Sequence, residues 1–454
     1  MYIDIKKTKG KALYTQLYDA IVEEIVSGRL RNGMKLPTRR AMAEQLNIAQ
    51  TTVDSAYKML QDTGYIISIP RRGYIISFKS SPYGGNIPWE TTAPEEIVFS
   101  PNGIDTSHLP RTIYAKIMKD ILYNDGIDVF SYPEKGGEFI LRNEISKYLY
   151  SFRDIKCSPS QIIIGAGTEY LLTSLAAIFP ESTKYILENP CDTHFYHTLS
   201  SYRHQLVILP ENIDEFDIEA LYASDGNILC IEPDTRCPRS AAMSPEICSA
   251  ILEWAYASPD RYIIENGYDS ELQTIQKRTL YSMDTKNRVL YLNSFSRSIS
   301  PAIRTAYMVI PENLLELWKK KHVYYYSLVL KQEQYALAEF IRKGHFMKHY
   351  KYMRKSYKER REYLKDCLLK AFGENIQIYG ESASTYISAA FVSHNTNEVK
   401  TKAKKAGVKL LSLNSFNVNK NAVPLENDRL IMGIGDLNNE KIRMGIKLLK
   451  ECLN

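Results

Sequence analysis

Apolar residues near the start of the chain recur at every fourth position. Those that share one helix face are Leu13, Leu17, Ile21 and Ile25. This spacing predicts an amphipathic helix, which we expect to end at Gly28 because glycine favours the backbone conformation that stops a helix.

Two further short helices and a hairpin are predicted next. The stretch GMKLPTRRAMAEQLNIAQTTV contains Pro37, after which a helical pattern begins with Thr38 as its N-cap. The pattern turns near Asn47 and restarts at about Gln50. Beyond it, GYIISIPRRGYIIS alternates apolar and polar positions around a turn. Three helices followed by a hairpin predict a winged helix-turn-helix.

From residue 98 onward the pattern changes to short β-rich runs separated by helix-length segments. The runs include QIIIGAG, KYILENP, NILCIEP, RYIIENG, VLYLNSF and TAYMVIP. This alternation predicts an α/β fold with a mainly parallel sheet and helices on both faces. A long amphipathic region and a small C-terminal α+β subdomain are predicted to close the chain.

Composition gives the boundaries between these parts. The stretch SFKSSPYGGNIPWETTAPEEI is rich in proline and glycine, so it is predicted to be a linker that spans about 25 Å as a flexible chain. We therefore predict a winged helix-turn-helix at residues 1–76, a linker at 77–97 and a body at 98–454. The large part of the body is expected at about 98–330 and the small part at about 331–454.

Charge follows the same division. Residues 1–80 hold 13 Lys and Arg against 7 Asp and Glu, whereas residues 81–454 hold 45 of each kind. A basic head on a neutral body is expected when a small domain contacts a polyanion such as DNA. The apolar runs are too short for a membrane span and MYIDIKKTKG lacks the apolar core of a signal peptide, so we expect a cytoplasmic protein without a membrane partner.

Metal and disulfide chemistry are not indicated by the sequence. The seven cysteines are scattered without a CxxC pair, which argues against a disulfide framework and a zinc site. His345 and His349 lie four residues apart, but no acidic partner motif accompanies them. We expect reduced thiols and no metal.

The helix-turn-helix geometry assigns the DNA contacts. The N-terminal residues of its second helix face base edges in the major groove, which places Gln50, Thr51 and Thr52 there. Phosphate or minor-groove contacts are expected from residues that flank this helix or form the wing: Arg39, Arg40, Arg71, Arg72 and Gly73. The alternative is a helical interaction domain whose arginines are simply solvated.

The first 76 residues resemble the GntR-type winged helix. The family's pattern is followed by LYTQLYDAIVEEIVSGRLRNGMKLPTRRAMAEQLNIAQTTV, by AYKMLQDTGYI and by a glycine-bearing wing. Family members commonly carry arginine where Gln50 stands, so their base preference at that step does not transfer to this chain.

The residues beyond the linker resemble the fold type I aminotransferases. The motifs that carry the resemblance are SYPEKGGEFILRNEISKYL, IIIGAGTEYLLTSL, LENP, YIIENGYDSE and SFSRSISPAIRTAYMVIP, in that order. A GntR-type head joined to such a body is the architecture of MocR-type (GabR-like) transcriptional regulators. The resemblance implies a double-stranded DNA operator, a small-molecule effector, a head-to-tail homodimer and pyridoxal phosphate as the family's cofactor.

Three positions of the implied cofactor site depart from the family. Arg297 stands where a lysine forms the Schiff base, and arginine effectively cannot lose the proton that this reaction requires. Asn266 stands where an aspartate pairs with the pyridinium nitrogen, and Asp192 where an aromatic ring stacks. We therefore expect a degenerate site, no covalent cofactor, no catalytic residues and no aminotransferase activity.

Other positions of the implied site keep the family's residue types. Tyr268 matches the tyrosine that contacts the ring hydroxyl. The phosphate cup is matched by Thr168, Ser294 and Arg304, and Ser296 lies beside them. Arg429 lies near the place of the family's carboxylate-clamping arginine. The alternative for each is structural: a core residue, a turn cap or a surface charge.

We interpret Arg297 as a fixed cation that forms a cleft for a small anionic metabolite with Arg304 and with Arg236 or Arg429. The planar guanidinium group suits this role because it binds carboxylates and phosphates in bidentate fashion. Three alternatives stay open: a regulator that holds pyridoxal phosphate noncovalently, a body that binds no ligand, and an active aminotransferase with an N-terminal appendage.

Overall fold

The computed structural model consists of two compact units, Met1–Pro94 and Glu95–Asn454. It describes residues 12–70, 72–78, 96–123, 126, 128–202, 204–212, 215–267, 270–273, 278–324, 326–380, 385–419, 425 and 428–453. Two of the predicted site residues, Arg71 and Tyr268, lie outside these described residues.

The first unit has the predicted three helices and hairpin. Its elements are α1 (Leu13–Val26), α2 (Arg39–Leu46), α3 (Gln50–Asp62), β1 (Ile66–Ile69) and β2 (Gly73–Ile76), and the two strands pair antiparallel. The buried face of α1 packs in one apolar cluster with residues of α3 and both strands. The winged helix-turn-helix is therefore confirmed.

The turn between α2 and α3 follows from local chemistry. Thr38 caps α2, because its Oγ1 accepts a hydrogen bond from the amide of Ala41 at 3.2 Å. Asn47 ends the helix with a φ of 50°, a left-handed conformation that asparagine tolerates. The hydroxyl of Tyr57 on α3 donates to the carbonyl of Pro37 at 3.0 Å. The start of α2 is thereby tied to α3.

The second unit begins with β3 (Ile97–Val98), α4 (Arg111–Leu122), α5 (Phe139–Arg153), β4 (Ile162–Gly165), α6 (Thr168–Ala176), β5 (Lys184–Leu187), α7 (Thr193–Ser200), β6 (Gln205–Ile208), α8 (Ile218–Ala223), β7 (Ile228–Ile231), α9 (Pro245–Tyr256), β8 (Tyr262–Asn266), α10 (Leu280–Met283), β9 (Val289–Ser294), α11 (Phe295–Ser298), β10 (Ala306–Val309) and α12 (Glu312–Lys321). It continues with α13 (Lys331–Arg342), α14 (His345–Phe372), β11 (Ile376–Tyr379), β12 (Tyr386–Phe391), α15 (Thr396–Lys405), β13 (Val408–Lys409), β14 (Leu411–Ser412), β15 (Leu430–Gly433) and α16 (Asn439–Leu453).

The large sheet has the strand order β4-β10-β9-β8-β7-β5-β6. Strands β9, β8, β7, β5 and β6 run parallel, and β10 pairs antiparallel with both β4 and β9. Apolar clusters that contain helix residues cover the sheet. The prediction of a mainly parallel sheet is confirmed, and the ends of β5, β7, β8 and β9 meet at one edge, where ligands bind in such folds.

A smaller antiparallel sheet of order β11-β12-β15-β14 forms the C-terminal subdomain. One of its faces packs in a single apolar cluster with α14, α15 and α16. Strand β3 pairs in parallel with β13 of this subdomain. Within the part of the chain that the structure describes, no helix combines the length and the apolar character that crossing a bilayer requires.

Candidate DNA-binding head and ligand site

The predicted DNA contacts of the head lie on an exposed face. Gln50 and Thr51 begin α3 and are exposed, and Thr52 is half-buried. Arg39 forms a 3.2 Å ion pair with Asp54, and Arg40 forms a 2.9 Å ion pair with Glu44. Exposed pairs of this kind contribute little stability, so both arginines are free to exchange their carboxylate for a phosphate.

The predicted wing contacts lie beside this face. Arg72 is exposed, and Gly73 has a φ of 90° at the start of β2. A Cβ at Gly73 would approach the side chain of Lys35 to 3.3 Å. Lys35 therefore joins the wing, and the sequence reasoning missed it.

In the second unit, the structure brings together Thr168 and Arg304 of the predicted phosphate cup. Thr168 is the first residue of α6, and a Cβ on the preceding Gly167 would lie 2.7 Å from Nη2 of Arg304. The half-exposed Arg304 is paired with Glu169 at 3.1 Å. The sequence prediction did not foresee this carboxylate, which forms an exposed ion pair with the cation that was expected to face an anion.

Asp192 follows β5 and Asn266 ends β8, the two strands that flank β7 in the large sheet. Asp192 caps α7 by accepting the amide of His194 at 2.9 Å, and burial raises the pKa of its carboxyl above the usual range. Asn266 is buried at the end of β8 and donates from Nδ2 to Oε1 of Glu232 at 2.5 Å. The side-chain amide of Asn266 is thus engaged with a carboxylate at the end of β7.

Arg297 connects three segments of the body. Only 6% of the residue is exposed. Its Nη2 donates to Oγ1 of Thr385 at 2.8 Å, and its Nη1 donates to the carbonyl of Pro101 at 3.3 Å. Ser294 directly precedes α11, and the hydroxyl of Ser296 donates to the carbonyl of Ile303 at 2.9 Å. Arg297 therefore ties the turn after β9 to the residues just before β12 and to the segment after β3.

Two buried arginines follow β7. The sequence prediction named Arg236 only as an alternative cation and missed Arg239. Arg236 donates from Nη2 to Oε1 of Glu188 at 2.7 Å and to the carbonyl of Glu215 at 3.0 Å. Arg239 donates to three main-chain carbonyls, those of Asn212, Pro190 and Asn189. The signal available in the sequence was the presence of acids and bases, including the LENP glutamate, directly after buried strands.

Arg429 lies apart from the other predicted arginines. Its guanidinium carbon is 3.8 Å from the centre of the Tyr379 ring. Both residues line a cavity of about 510 Å³ in the C-terminal subdomain, together with His394, Asn414 and Asp428. Neither Arg236, Arg297 nor Arg304 is among the described residues that line it.

Each of these arginines has protein partners of its own, and one cleft built by several arginines stays a prediction. Arg297 is bonded to Thr385 and Pro101, Arg304 is paired with Glu169, and Arg236 is paired with Glu188. The partners of Arg297 and Arg236 are buried groups, whereas the ion pair of Arg304 with Glu169 is exposed.

Two family descriptions match this chain. Residues 13–76 match the bacterial regulatory proteins of the gntR family, and residues 265–439 match aminotransferase class I and II. Among solved structures, a Pyrococcus horikoshii kynurenine aminotransferase in complex with PMP has a TM-score of 0.69 at 19% identity, covering 80% of this chain and 91% of that one. The second unit thus has the aminotransferase fold.

Relatives that carry both parts define the class more closely. The uncharacterized HTH-type transcriptional regulator YdeL of Bacillus subtilis is 31% identical over 458 residues, which is 98% of each chain. The probable rhizopine catabolism regulatory protein MocR of Rhizobium meliloti is 26% identical over 85% of this chain and 83% of its own length. The chain belongs to this MocR-type family of HTH-type transcriptional regulators with a gntR head and an aminotransferase-like body.

Proposed function

We propose that the protein regulates transcription by binding double-stranded DNA through its head, and that its body senses a small molecule without transforming it. The residue that carries the second half is Arg297, which the family resemblance aligns with the Schiff-base lysine. A guanidinium with a pKa above about 12 stays protonated and forms no imine. Its bonds to Thr385 and Pro101 also give it a structural role that a free amine would not fill.

The residues around Arg297 do not fit pyridoxal phosphate. The side chain expected to pair with a pyridinium nitrogen is the amide of Asn266, which already donates to Glu232. The side chain expected to stack on the ring is the carboxylate of Asp192. We derive no chemistry through this cofactor.

Spectroscopy and calorimetry test this part of the proposal. We expect the purified protein mixed with pyridoxal phosphate to show no borohydride-reducible aldimine band, and calorimetry to detect no binding heat. An Arg297→Lys variant is the informative control, because it restores the amine alone; we expect it to stay inactive in a transamination assay while Asn266 and Asp192 remain. Turnover above background, or cofactor mass attached to the wild-type chain, would contradict the proposal. Binding heat without an imine would favour noncovalent retention of the cofactor instead.

For the effector, we propose an anionic small molecule that binds in the cavity beside Arg429. A volume of about 510 Å³ falls in the range of small-molecule sites. The cavity also combines a guanidinium stacked on Tyr379 with polar side chains, which suits a ligand that carries a carboxylate.

A thermal-shift screen with carboxylates tests this effector site. A ligand must raise the melting temperature, and Arg429→Gln should abolish the shift. Arg354→Gln is the matched control, because Arg354 also lies over a tyrosine ring, that of Tyr350, outside the cavity. Loss of the shift in both variants, or in neither, argues against this site.

We also propose that the body dimerises, in the head-to-tail arrangement implied by the family. Support comes from an exposed aromatic and aliphatic surface formed by Phe130, Tyr132, Tyr324, Tyr326, Leu328 and Leu330. The rings of Tyr132 and Tyr326 stack at 5.1 Å and join the two segments. Large exposed apolar patches of this kind mark association sites.

Sedimentation velocity tests the dimer. Leu328→Glu places a charge in the surface and should produce monomers. Val392→Glu is the control, since Val392 is 62% exposed and Leu328 is 64% exposed. A monomeric wild-type protein would refute the proposal.

We retain the domain boundaries 1–76, 77–97 and 98–454 as proposals, with a large part of the body at about 98–330 and a small part at about 331–454. Because chromosomal DNA is the proposed partner, we place the protein in the cytoplasm.

A further inference from the structure

We propose that a concave lysine surface on the C-terminal subdomain binds the phosphate backbone of double-stranded DNA, as a second contact beside the head. The lysine surface consists of Lys400, Lys404, Lys405 and Lys409, on α15 and β13. This inference rests on the proposed function, because the head must first bind DNA.

Charge is concentrated at this surface. Residues 400–409 contain five lysines and no acidic residue, whereas residues 81–454 as a whole hold 45 basic and 45 acidic side chains. The body is thus neutral on average but strongly positive here. A cluster of like charges repels itself, so it is stabilised by a polyanion and weakened by salt.

The lysines are held in a concave arrangement and most are available. The surface borders a hollow of about 920 Å³, and Glu96 is the one carboxylate among the described residues that line it. Lys404, Lys405 and Lys409 are exposed, and none of them forms an ion pair with another described residue.

The remaining two lysines of the segment have partners of a different kind. Lys402 is paired with Glu398 at 2.9 Å, and Lys400 donates to the hydroxyl of Ser412 at 3.1 Å. Lys400 is therefore positioned by a neutral group and keeps its net charge. Lys402 is neutralised by its ion pair. The ammonium groups of the other four lysines therefore face the hollow, together with the carboxylate of Glu96.

The chemistry favours phosphates over bases. A lysine ammonium is a compact point charge on a flexible stem, suited to phosphate and poor at bidentate base reading. Phosphate contacts give affinity and salt dependence without sequence information. The lysine surface would therefore strengthen binding next to the operator, while the head selects the sequence.

The connection between the head and the body makes such a contact reachable. The amide of Ile97 donates to the carbonyl of Gly407, and the amide of Phe99 donates to the carbonyl of Lys409. The linker thus enters the body directly at the lysine surface. By length alone, about 20 residues of chain can extend to about 70 Å at most, which allows DNA bound by the head to reach the lysines.

The test compares salt dependence on short and long DNA. Full-length protein is titrated with random-sequence duplexes of about one and about six helical turns at increasing salt. We expect the variant Lys404→Gln/Lys405→Gln/Lys409→Gln to lower the slope of log K against log salt on the long duplex by about 0.9 for each lost contact, up to about 3 per chain. Affinity at low salt should fall at least tenfold, and binding to the short duplex should change little.

The matched control is Lys319→Gln/Lys320→Gln/Lys321→Gln. These exposed lysines form the last turn of α12, just as Lys404 and Lys405 lie in the last turn of α15, and each variant loses three positive charges in all. The control should bind both duplexes like the wild type. The single variant Lys404→Gln should lower the salt slope by about a third as much as the triple variant Lys404→Gln/Lys405→Gln/Lys409→Gln does.

The outcomes separate the two levels of the proposal. If the wild type binds neither duplex, the proposed function fails. If the wild type binds but the triple variant matches it, or if the triple and the control weaken equally, the lysine surface is not a DNA contact. Vesicles of anionic phospholipid provide a last arm: loss of vesicle binding with unchanged DNA binding would assign the surface to membranes instead.

Discussion

The arginines of the head and those of the body differ in environment although their ion pairs have similar lengths. Arg40 pairs with Glu44 at 2.9 Å and its side chain is 83% exposed, whereas Arg236 pairs with Glu188 at 2.7 Å and is 3% exposed. The exposed pair competes with water and is worth little, so its arginine can turn to a phosphate. Breaking the buried pair leaves a desolvated charge, so its arginine is fixed in place.

The largest effect on stability is expected at Arg236. Arg236→Ala leaves the buried Glu188 with Arg239 as its remaining cation, at 3.6 Å, and we expect it to lower the free energy of unfolding by about 3 kcal/mol. Denaturant titration followed by circular dichroism measures the loss. The double variant Arg236→Met/Glu188→Leu removes both charges and should recover most of it; a single variant as stable as the wild type would show that the pair contributes nothing.

A buried carboxylate without a directly bonded arginine sharpens the comparison. Burial raises the pKa of Glu265 to about 7, although the amides of Leu280 and Tyr281 donate to it. The folded state therefore binds its proton more tightly than the unfolded state does. The stabilisation that protonated Glu265 gives is complete below about pH 4.5 and is lost as the pH rises through about 7.

The variant Glu265→Gln removes this titration. Because glutamine stays neutral, the variant should exceed the wild type by about 3 kcal/mol in unfolding free energy above pH 7, and the difference should vanish near pH 4. Urea titrations across this pH range measure it. A difference that does not change with pH would mean that Glu265 is charged or neutral in both states alike.

The loss of stability on replacing Arg297 should lie between the large loss expected at Arg236 and the small loss expected at Arg40. Arg297→Met removes the hydrogen bonds to Thr385 and Pro101 and leaves a buried carbonyl without its donor, which we expect to cost about 1–3 kcal/mol. Thermal unfolding measures the change. Arg297→Lys keeps the charge but lacks the forked donors, so it should recover part of the loss. Equal stability of all three proteins would exclude a structural role for this side chain.

The smallest effect on stability is expected at Arg40. Arg40→Gln should change the free energy of unfolding by less than about 0.5 kcal/mol, because the ion pair is exposed. DNA binding should nevertheless weaken, with the salt slope reduced by about 0.9 for the lost phosphate contact. Arg29→Gln, which breaks the exposed pair with Glu24 elsewhere on the head, is the control and should leave DNA binding unchanged. A variant that loses stability but keeps its affinity for DNA would show that Arg40 stabilises the head and does not contact DNA.

The head was predictable from sequence because its elements are local. The four-residue spacing in α1, the cap at Thr38 and the turn at Asn47 all act within a few positions of the chain. The alternating strands and helices likewise predicted the sheet of the body. The partners of the arginines were not predictable, because Glu188 and Arg236 are brought together only by neighbouring strands. Motif positions located Arg297, but its contacts with Thr385 and Pro101 depend on three distant segments.

The pairing of β3 with β13 has a mechanical consequence. Although β3 comes before the large sheet in the chain, its ladder partner belongs to the C-terminal subdomain. Ile97 and Phe99 also pack in the apolar cluster of that subdomain, so a rotation of the subdomain would carry the start of the second unit with it. A ligand-driven rotation would therefore move the point at which the predicted linker joins the body.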